Sequence, residues 1–159
     1  MENTQNPQMK VQFGDVNDKN YELLRTLNTV TFPVQYSLSF YAKVLSYNKY
    51  SRLAYFNDIL VGAMTCRQEE HNNEQSIYIL TIGVLPAYRK HKIGSQLMNE
   101  LLKLANEDSE IKHIYLHMQV GNNPGLAFYK KFGFQIAETI DNYYTDIEPK
   151  GCYLLQLNL

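Results

Sequence analysis

The stretch Ile77-Tyr-Ile-Leu-Thr-Ile-Gly-Val-Leu85 decides the fold, because it is apolar at nearly consecutive positions. Such a run is typical of a strand that is buried on both faces. Ile93 to Asn106 follows with apolar residues at helical spacing, which predicts an amphipathic helix. Ile111 to Val120 has the pattern of a further strand. A strand, a helix and a strand in this order predict two parallel strands joined by a right-handed crossover.

The segment before this unit is typical of an antiparallel hairpin. Arg52 to Phe56 and Ile59 to Arg67 are strand-like runs on either side of the polar pair Asn57-Asp58. Two polar residues between such runs predict a tight turn. Gln68 to Gln75 is polar and is expected to form a loop tip. An antiparallel hairpin beside a parallel unit makes the sheet mixed.

Helical or alternating apolar patterns predict the other elements. With them the chain is an α/β (α+β) protein that has a mixed, mostly antiparallel and twisted sheet, a central parallel β-α-β unit and about four helices. The remaining helices are expected at Asn20–Thr31, capped by Asn17 or Asp18, at Leu38–Ser46 and at Pro124–Phe132 before Gly133, and the remaining strands at Val11–Phe13, Phe134–Thr139 and Tyr153–Leu157.

The composition argues against several classes of protein. The 159 residues suit one domain, expected over residues 9–159, with residues 1–8 as a flexible tail. A net charge of -1 argues against a broad grip on nucleic acid or on an anionic membrane. No apolar run reaches the roughly 20 residues of a membrane span. Cys66 and Cys152 are too few and too far apart for a zinc site, so we expect free thiols, no metal and a cytoplasmic protein that could also enter the nucleus.

A basic turn precedes the long helix. Leu85 to Gly94 joins the buried strand to that helix and carries Arg89, Lys90 and Lys92. The first amides of a helix have no partner within the helix, and its dipole places partial positive charge there. The position therefore favours phosphate binding, and a solvated basic turn is the alternative. The Gly-x-x-x-x-Gly-Lys-Ser/Thr pattern of nucleotide-binding loops is absent.

This turn resembles the pyrophosphate loop of the GNAT acetyltransferases, Arg/Gln-x-x-Gly-x-Gly/Ala, which binds acetyl-coenzyme A. Arg89 and Gly94 match the pattern, whereas Lys92 replaces its first glycine. The resemblance implies a GNAT-like fold and acetyl-CoA as cosubstrate. Gly83 predicts a bulge or a close backbone approach, and amides beside it could face the thioester oxygen. The coenzyme-binding residues implied here are Ile82, Gly83, Val84, Arg89, Lys90, His91, Lys92, Ile93, Gly94 and Ser95.

A second segment, Asn122-Asn-Pro-Gly-Leu-Ala-Phe-Tyr-Lys-Lys-Phe-Gly-Phe134, resembles the GNAT pattern Asn-x-x-Ala-x-x-Phe-Tyr-x-x-x-Gly-Phe. The resemblance implies that Asn122 contacts the pantetheine arm and that Tyr129 lies near the coenzyme sulfur. A hydroxyl there could give a proton to the leaving thiolate. Phe128, Phe132 and Phe134 are expected to pack in the core.

Scattered blocks narrow the resemblance to the NatE-type (San-type) N-terminal acetyltransferases. They are Phe32-Pro33-Val34-x-Tyr36, Leu53 to Asp58, Tyr115-Leu-His117 and Asn142-Tyr143-Tyr144-x-x-Ile147-Glu-Pro149. The resemblance implies acetyl transfer to the α-amine of protein N-termini, often ones that begin with methionine. It assigns the proton acceptor to His117 and the positioning of a water or of the amine to Tyr78. Imidazole titrates near neutral pH, whereas a phenol does not.

The same resemblance places the acceptor peptide. Phe32, Pro33 and Val34 would line an apolar pocket for its first side chain, and Ile147 would close one side. The tyrosines expected to contact its backbone or its amine are Tyr36, Tyr78, Tyr143 and Tyr144.

Two other functions stay open at this point. Because Lys92 replaces a glycine, the chain could be a catalytically impaired adaptor that docks on NatA-type catalytic and auxiliary subunits at the ribosome. It could also acetylate protein lysines, although the acidic residues Glu69, Glu70 and Glu74 are expected to lie in a solvated loop. The structural and surface residues are expected to be Asp58, Tyr88, His71, His91 and His113.

Overall fold

The computed structural model describes residues 7–159, so most of the predicted tail lies outside the described residues. In this range the chain forms seven strands, four α-helices and one short 3-10 helix, Pro86–Tyr88. The helices are α1 Tyr21–Thr31, α2 Leu38–Ser46, α3 Ile93–Asn106 and α4 Asn123–Lys131. The strands are β1 Gln12–Asp15, β2 Arg52–Phe56, β3 Ile59–His71, β4 Glu74–Val84, β5 His113–Gln119, β6 Gln135–Ile140 and β7 Cys152–Asn158.

The strands form one mixed sheet in the order β1-β2-β3-β4-β5-β7-β6. β4 and β5 are parallel and lie on either side of α3 in the chain, so the predicted β-α-β unit is confirmed. The pairings of β1 with β2, β2 with β3, β5 with β7 and β6 with β7 are antiparallel. The predicted fold class, mixed and mostly antiparallel, is therefore confirmed.

The described chain divides into two compact units. The first unit contains residues 7–67 and Ile79–Glu107, and its core is formed by buried side chains of β2, β3, α1 and α2, among them Leu24, Tyr41 and Leu53. The second unit contains Gln68–Tyr78 and Asp108–Leu159, and β7 pairs there with both β5 and β6.

Helix α3 packs closely on the sheet of the first unit. A Cβ at Gly62 would lie 3.1 Å from the carbonyl oxygen of Gly83 and 3.2 Å from the side chain of Ile93. Leu97, one helical turn further on, is also fully buried and lies 3.4 Å from the same point. The absence of a side chain at residue 62 thus lets the helix lie against β3, and the apolar face of α3 is buried as its spacing predicts.

Two sequence predictions of local structure were wrong. Gln68 to Gln75 is not a loop tip, because β3 continues to His71 and β4 begins at Glu74. Only Asn72 and Asn73 form the turn, with φ of 52° and 62°, and asparagine tolerates the left-handed region better than most residues. Helix α1 has Asn20 as its N-cap rather than Asn17 or Asp18.

Three further findings concern the described residues alone. None of their helices combines the length and the apolar character that a membrane span needs. Cys66 and Cys152 are both buried free thiols, as predicted. Residues 7–159 contain no group of three His, Cys, Asp or Glu side chains that could hold a metal ion.

Candidate active site

Tyr78 and His117 form a hydrogen-bonded pair in the second unit. The parallel ladder of β4 and β5 pairs Tyr78 with Tyr115, and His117 is two residues further along β5. Side chains two residues apart on a strand share a face. The hydroxyl of Tyr78 lies 2.8 Å from Nδ1 of His117. When the imidazole is neutral and carries its proton on Nε2, the phenol donates to Nδ1. The proton acceptor and the positioning residue that the resemblance assigned therefore touch each other.

Tyr115 supports the ring of Tyr78. Their ring centroids are 4.8 Å apart at 62°, and Tyr115 is buried. The ring of His71 stacks on Tyr115, with their centroids 3.9 Å apart and an angle of 15° between the ring planes. The hydroxyl of Tyr115 donates to a carboxylate oxygen of Glu69. Tyr115 is thus held by a hydrogen bond to Glu69 and by a stacked ring, which restricts the orientations open to Tyr78.

The structure corrects the assignment of His71 and His113 to the surface. His113, the first residue of β5, is only 1% exposed and has the ring of His71 against it, and His71 is itself half-buried and stacks on Tyr115. Nδ1 of His113 lies 3.3 Å from a carboxylate oxygen of Glu74, whereas its Nε2 has no hydrogen-bond partner. Glu69 and Glu74 therefore contact ring side chains of β5 and do not form a solvated tip.

The segment between β6 and β7 adds an aromatic neighbour to His117. The ring of Tyr143 stacks on His117 with centroids 4.9 Å apart at 13°. Tyr144 packs edge-on against Tyr143 at 5.0 Å, and its N–H donates to the carbonyl of Lys150 at 2.9 Å. Tyr143 and Ile147 are 44% and 43% exposed. These two side chains are therefore accessible to a peptide.

Asn122 and Tyr129 lie at the two ends of helix α4. The side-chain oxygen of Asn122 accepts the N–H of Gly125 at 3.1 Å, and this contact caps the helix. Its amide group still carries N–H donors that a ligand could use. Tyr129 is buried against the rings of Phe128 and Phe134. Phe134 is buried as expected, and the rings of Phe128 and Phe132, though only half-buried, pack against each other.

The basic turn of the first unit places exposed cations at the start of α3. Arg89, Lys90 and Lys92 are all exposed. The Nε of Arg89 donates to the carbonyl of Val84 at 3.1 Å, and this fixes the guanidinium at the end of β4. The amides of Ile93 to Ser95 form the first turn of a 14-residue helix. Fixed cations beside helix amides fit a polyanion such as a pyrophosphate.

The side chain of His91 has a different partner from the one the resemblance implies. Its Nδ1 lies 2.9 Å from the carbonyl of Pro7, and its own carbonyl accepts the N–H of Met9 at 3.2 Å. The amide of Gln96 donates to the carbonyl of Met9 at 2.6 Å and accepts the N–H of Val11. The imidazole thus anchors the start of the described chain to the turn.

The loop after α1 presents Phe32 to β4. Thr31 is the last helical residue, because Pro33 biases the residue before it towards the extended conformation that Phe32 adopts. A Cβ at Gly83 would lie 2.7 Å from the ring of Phe32 and 2.8 Å from Thr31. Because Gly83 has no side chain, the ring of Phe32 can approach β4 closely, as the sequence analysis expected for this glycine.

Aromatic stacking continues along this loop. Phe32 packs edge-on against Tyr36 at 6.1 Å, and Tyr36 stacks on Phe40 at 4.5 Å and 26°. Burial raises the pKa of the Tyr36 hydroxyl above 10.0, so it remains a proton-bearing donor at neutral pH. Pro33 and Val34 are exposed, with Val34 at 57%.

The acetyltransferase (GNAT) family matches residues 17–134, which is well over half of the chain. The chain belongs to this family. The match contains β4, the basic turn, α3 and α4. It ends before the segment that holds Tyr143, Tyr144 and Ile147.

Relatives within the GNAT family extend the similarity to nearly the whole chain. N-alpha-acetyltransferase 50 of Danio rerio is 43% identical over 150 residues, which cover 94% of this chain and 89% of that protein. The probable N-acetyltransferase san of Drosophila melanogaster is 42% identical over 94% of this chain and 81% of that protein. The structure of Arabidopsis thaliana Naa50 in complex with the bisubstrate analogue CoA-Ac-MVNAL superposes with a TM-score of 0.86. It is 44% identical, over 94% of this chain and 99% of that chain.

Lys92 is the main departure from the GNAT loop pattern. It is the N-cap of α3 and has φ 61° and ψ 24°, in the left-handed region. Glycine adopts this conformation without a steric penalty, whereas a lysine has a Cβ there. The backbone of the turn thus retains the conformation that suits the glycine of the pattern.

Sequence reasoning missed the support that Glu69 and His71 give to Tyr115. The sequence identifies Tyr115 only as part of the family block that contains His117. The missed signal was the strand character of Gln68 to His71, which places alternate side chains on one face. Polar composition concealed it, since strands are usually recognised by apolar alternation.

Proposed function

We propose that this chain is an N-terminal acetyltransferase that transfers acetyl from acetyl-CoA to the α-amine of proteins, preferring those that begin with methionine. The observation that carries the proposal is the contact of 2.8 Å between the Tyr78 hydroxyl and Nδ1 of His117. It occurs in a chain 44% identical to an Naa50 whose complex contains a coenzyme A–acetyl–MVNAL analogue.

The α-amine of a protein is an acceptor that a weak base such as the imidazole of His117 can deprotonate. A free α-amine has a pKa of about 7.7–8.0, whereas a lysine amine titrates near 10.4. At neutral pH the α-amine loses its proton for about 1 kcal/mol, and the lysine amine needs about 4 kcal/mol. A histidine therefore suffices for a protein N-terminus, and transfer to lysine is expected only as a slow secondary activity.

The reaction is a direct transfer in a ternary complex. The lone pair of the neutral amine attacks the thioester carbonyl carbon, and the carbon–sulfur bond breaks to release the coenzyme thiolate. The amine proton passes to the Tyr78 hydroxyl, directly or through one bridging water, as the phenolic proton moves to Nδ1 of His117. Tyr129 is assigned to the thiolate, to which its hydroxyl gives a proton. Backbone amides near Gly83 are assigned to the carbonyl oxygen.

The coenzyme is held through its phosphates and its pantetheine arm. Arg89 and Lys92 supply side-chain charge, and the first turn of α3 supplies backbone donors. The N–H donors of Asn122 are assigned to the pantetheine amides.

The acceptor peptide is assigned to the exposed aromatic and apolar side chains of the two loops. Phe32, Pro33 and Val34 are assigned to the first side chain, and Ile147 is assigned to closing one side of its pocket, as the family resemblance implies. An apolar pocket discriminates one methylene by only about 1–3 kcal/mol, so the preference among large first residues is expected to be graded. The peptide backbone is assigned to Tyr36, Tyr143 and Tyr144.

The test uses purified protein, acetyl-CoA and three peptides, with mass spectrometry as the readout. The peptides begin with Met-Val-Asn-Ala-Leu, with Ser-Glu, and with an acetyl-capped residue followed by a lysine. We expect rapid acetylation of the first peptide at its α-amine and slow or no reaction of the others. Tyr78→Phe should lose activity, and Tyr21→Phe, at a half-buried tyrosine of α1 that the proposal does not use, is the matched control. Failure to acetylate any free N-terminus would overturn the proposal.

Lys92 supports a second candidate, an adaptor subunit with impaired coenzyme binding. The left-handed conformation at Lys92 has a Cβ where the family pattern has none. Against this, a lysine–phosphate hydrogen bond contributes about 1.5–3 kcal/mol, which offsets a clash of similar size. Calorimetry with acetyl-CoA separates the two: we expect binding by the wild type, and binding only by Lys92→Gly would favour the adaptor.

By its resemblance to NatE-type proteins, we also propose that the chain associates with NatA-type catalytic and auxiliary subunits at the ribosome. Its two free buried thiols are typical of a reducing compartment, which supports a cytoplasmic location. Co-purification of a tagged chain with ribosomes tests the first proposal, and imaging of the same tagged chain tests the second.

A further inference from the structure

A cavity of about 370 Å³ lies in the first unit against helix α2. Its apolar wall consists of Phe40, Tyr47 and Leu80, and hydroxyl groups line it at Ser37 and Ser39. Two cationic side chains, Lys43 and Arg67, complete it. We call this cavity the Lys43–Arg67 pocket.

The charge of the pocket departs from that of the chain. The sequence as a whole carries -1, whereas the pocket contains two cations and no carboxylate among its described lining residues. Both Lys43 and Arg67 are exposed at its rim, so a ligand in the pocket can reach them. Cationic side chains together with hydroxyl donors bind a carboxylate, and the apolar wall accommodates the methylene groups that carry it.

The pocket begins where the proposed acceptor loop ends. Ser37 follows Tyr36 directly and caps α2, since its hydroxyl accepts the N–H of Phe40 at 3.2 Å. The ring of Phe40 stacks on Tyr36 with centroids 4.5 Å apart. The pocket therefore adjoins the loop to which the acceptor peptide is assigned.

We propose that the Lys43–Arg67 pocket binds an acidic side chain of the acceptor peptide, downstream of the residue that is acetylated. This inference rests on the proposed function and names a further feature of its substrates. The preferred N-termini would carry Asp or Glu a few residues after the first one. A cationic downstream residue would be disfavoured by repulsion from Lys43 and Arg67.

The experiment measures kcat and KM for a set of matched peptides. The parent is Met-Val-Asn-Ala-Leu followed by a neutral tail, and Glu or Gln replaces each of positions three to six in turn. At low ionic strength we expect one or two of the Glu peptides to have a KM about three- to tenfold below that of the matching Gln peptide, with kcat nearly unchanged. Raising the salt concentration should reduce this difference, because the charges are solvent-accessible.

Variants identify the residues responsible. Lys43→Gln combined with Arg67→Gln should abolish the Glu preference and leave the Gln peptides unaffected. Lys19→Gln combined with Lys103→Gln removes the same charge elsewhere and should retain the preference. Lys43→Glu with Arg67→Glu should favour lysine in place of glutamate. Lys43→Gln alone, an exposed substitution on α2, serves as a smaller change should the double variant unfold.

Two results would overturn the inference: equal KM values for Glu and Gln peptides at every position, or a Glu preference that survives in the Lys43→Gln, Arg67→Gln variant. Either result leaves acetylation of the parent peptide intact, so it is distinguishable from failure of the proposed function. Loss of activity on the parent peptide itself would instead count against the proposed function.

Discussion

Replacing Lys92 with glycine tests whether the turn before α3 stores backbone strain. Lys92 has φ 61° and ψ 24°, and its side chain is exposed and makes no capping hydrogen bond. The left-handed region costs a residue with a Cβ about 1–2 kcal/mol. Glycine avoids that cost but loses about 0.5–1 kcal/mol through the greater freedom of the unfolded chain. The free energy of unfolding should therefore rise by about 0–1.5 kcal/mol.

Thermal unfolding measures this difference. For a chain of this size, 1 kcal/mol corresponds to a Tm shift of about 2–4 °C, so Lys92→Gly should raise Tm by up to about 6 °C. The control is Lys103→Gly in the last turn of the same helix, where glycine costs up to about 1 kcal/mol and should lower Tm. The same substitution thus has opposite expected signs at two exposed lysines. A Tm for Lys92→Gly as low as that of Lys103→Gly would refute the reasoning.

Three further predictions concern the site and the core. Tyr78→Phe removes the hydroxyl that contacts His117 and should lower kcat by about 10²-fold with little change in the KM for acetyl-CoA, as measured by steady-state kinetics. Gly83→Ala places a Cβ 2.7 Å from the ring of Phe32, so it should destabilise the chain by about 1–3 kcal/mol in urea unfolding and raise the peptide KM, whereas an unchanged KM would separate Phe32 from peptide binding. Burial raises the pKa of the Cys66 thiol above its ordinary 9.0, so the unfolded chain releases this proton first as pH rises. The free energy of unfolding should then fall above pH 9 by up to about 1.4 kcal/mol per pH unit, and Cys66→Ala should show a smaller slope.

The sequence predicted the regular elements well where their apolar spacing was strong. Leu38–Ser46 and Ile93–Asn106 begin and end at the predicted residues. Their periodicity follows from burial of one helical face, which is a local property of the sequence. The hairpin turn at Asn57-Asp58 was equally clear, and both residues have positive φ.

The hairpin between β3 and β4 is a structure that the local sequence pattern does not predict. Gln68 to Gln75 has a loop-like composition, yet most of it is strand. The reason is tertiary: the hydroxyl of Tyr115 donates to a carboxylate oxygen of Glu69, and the ring of His71 stacks on Tyr115. Polar side chains that find partners in neighbouring strands are compatible with a sheet, and those partners are distant in sequence.

By itself the sequence determined the parallel unit, the basic turn before the long helix, and through its family blocks the identity of the candidate catalytic side chains. Only the tertiary structure decided that Tyr78 and His117 touch, because 39 residues separate them and strand register alone brings them together. It also decided that Tyr115 and His71 pack behind them, and that Lys43 and Arg67 line one cavity. Residue types and their spacing predict which face of a segment is buried. Which side chains contact each other depends on how segments distant in sequence pack together.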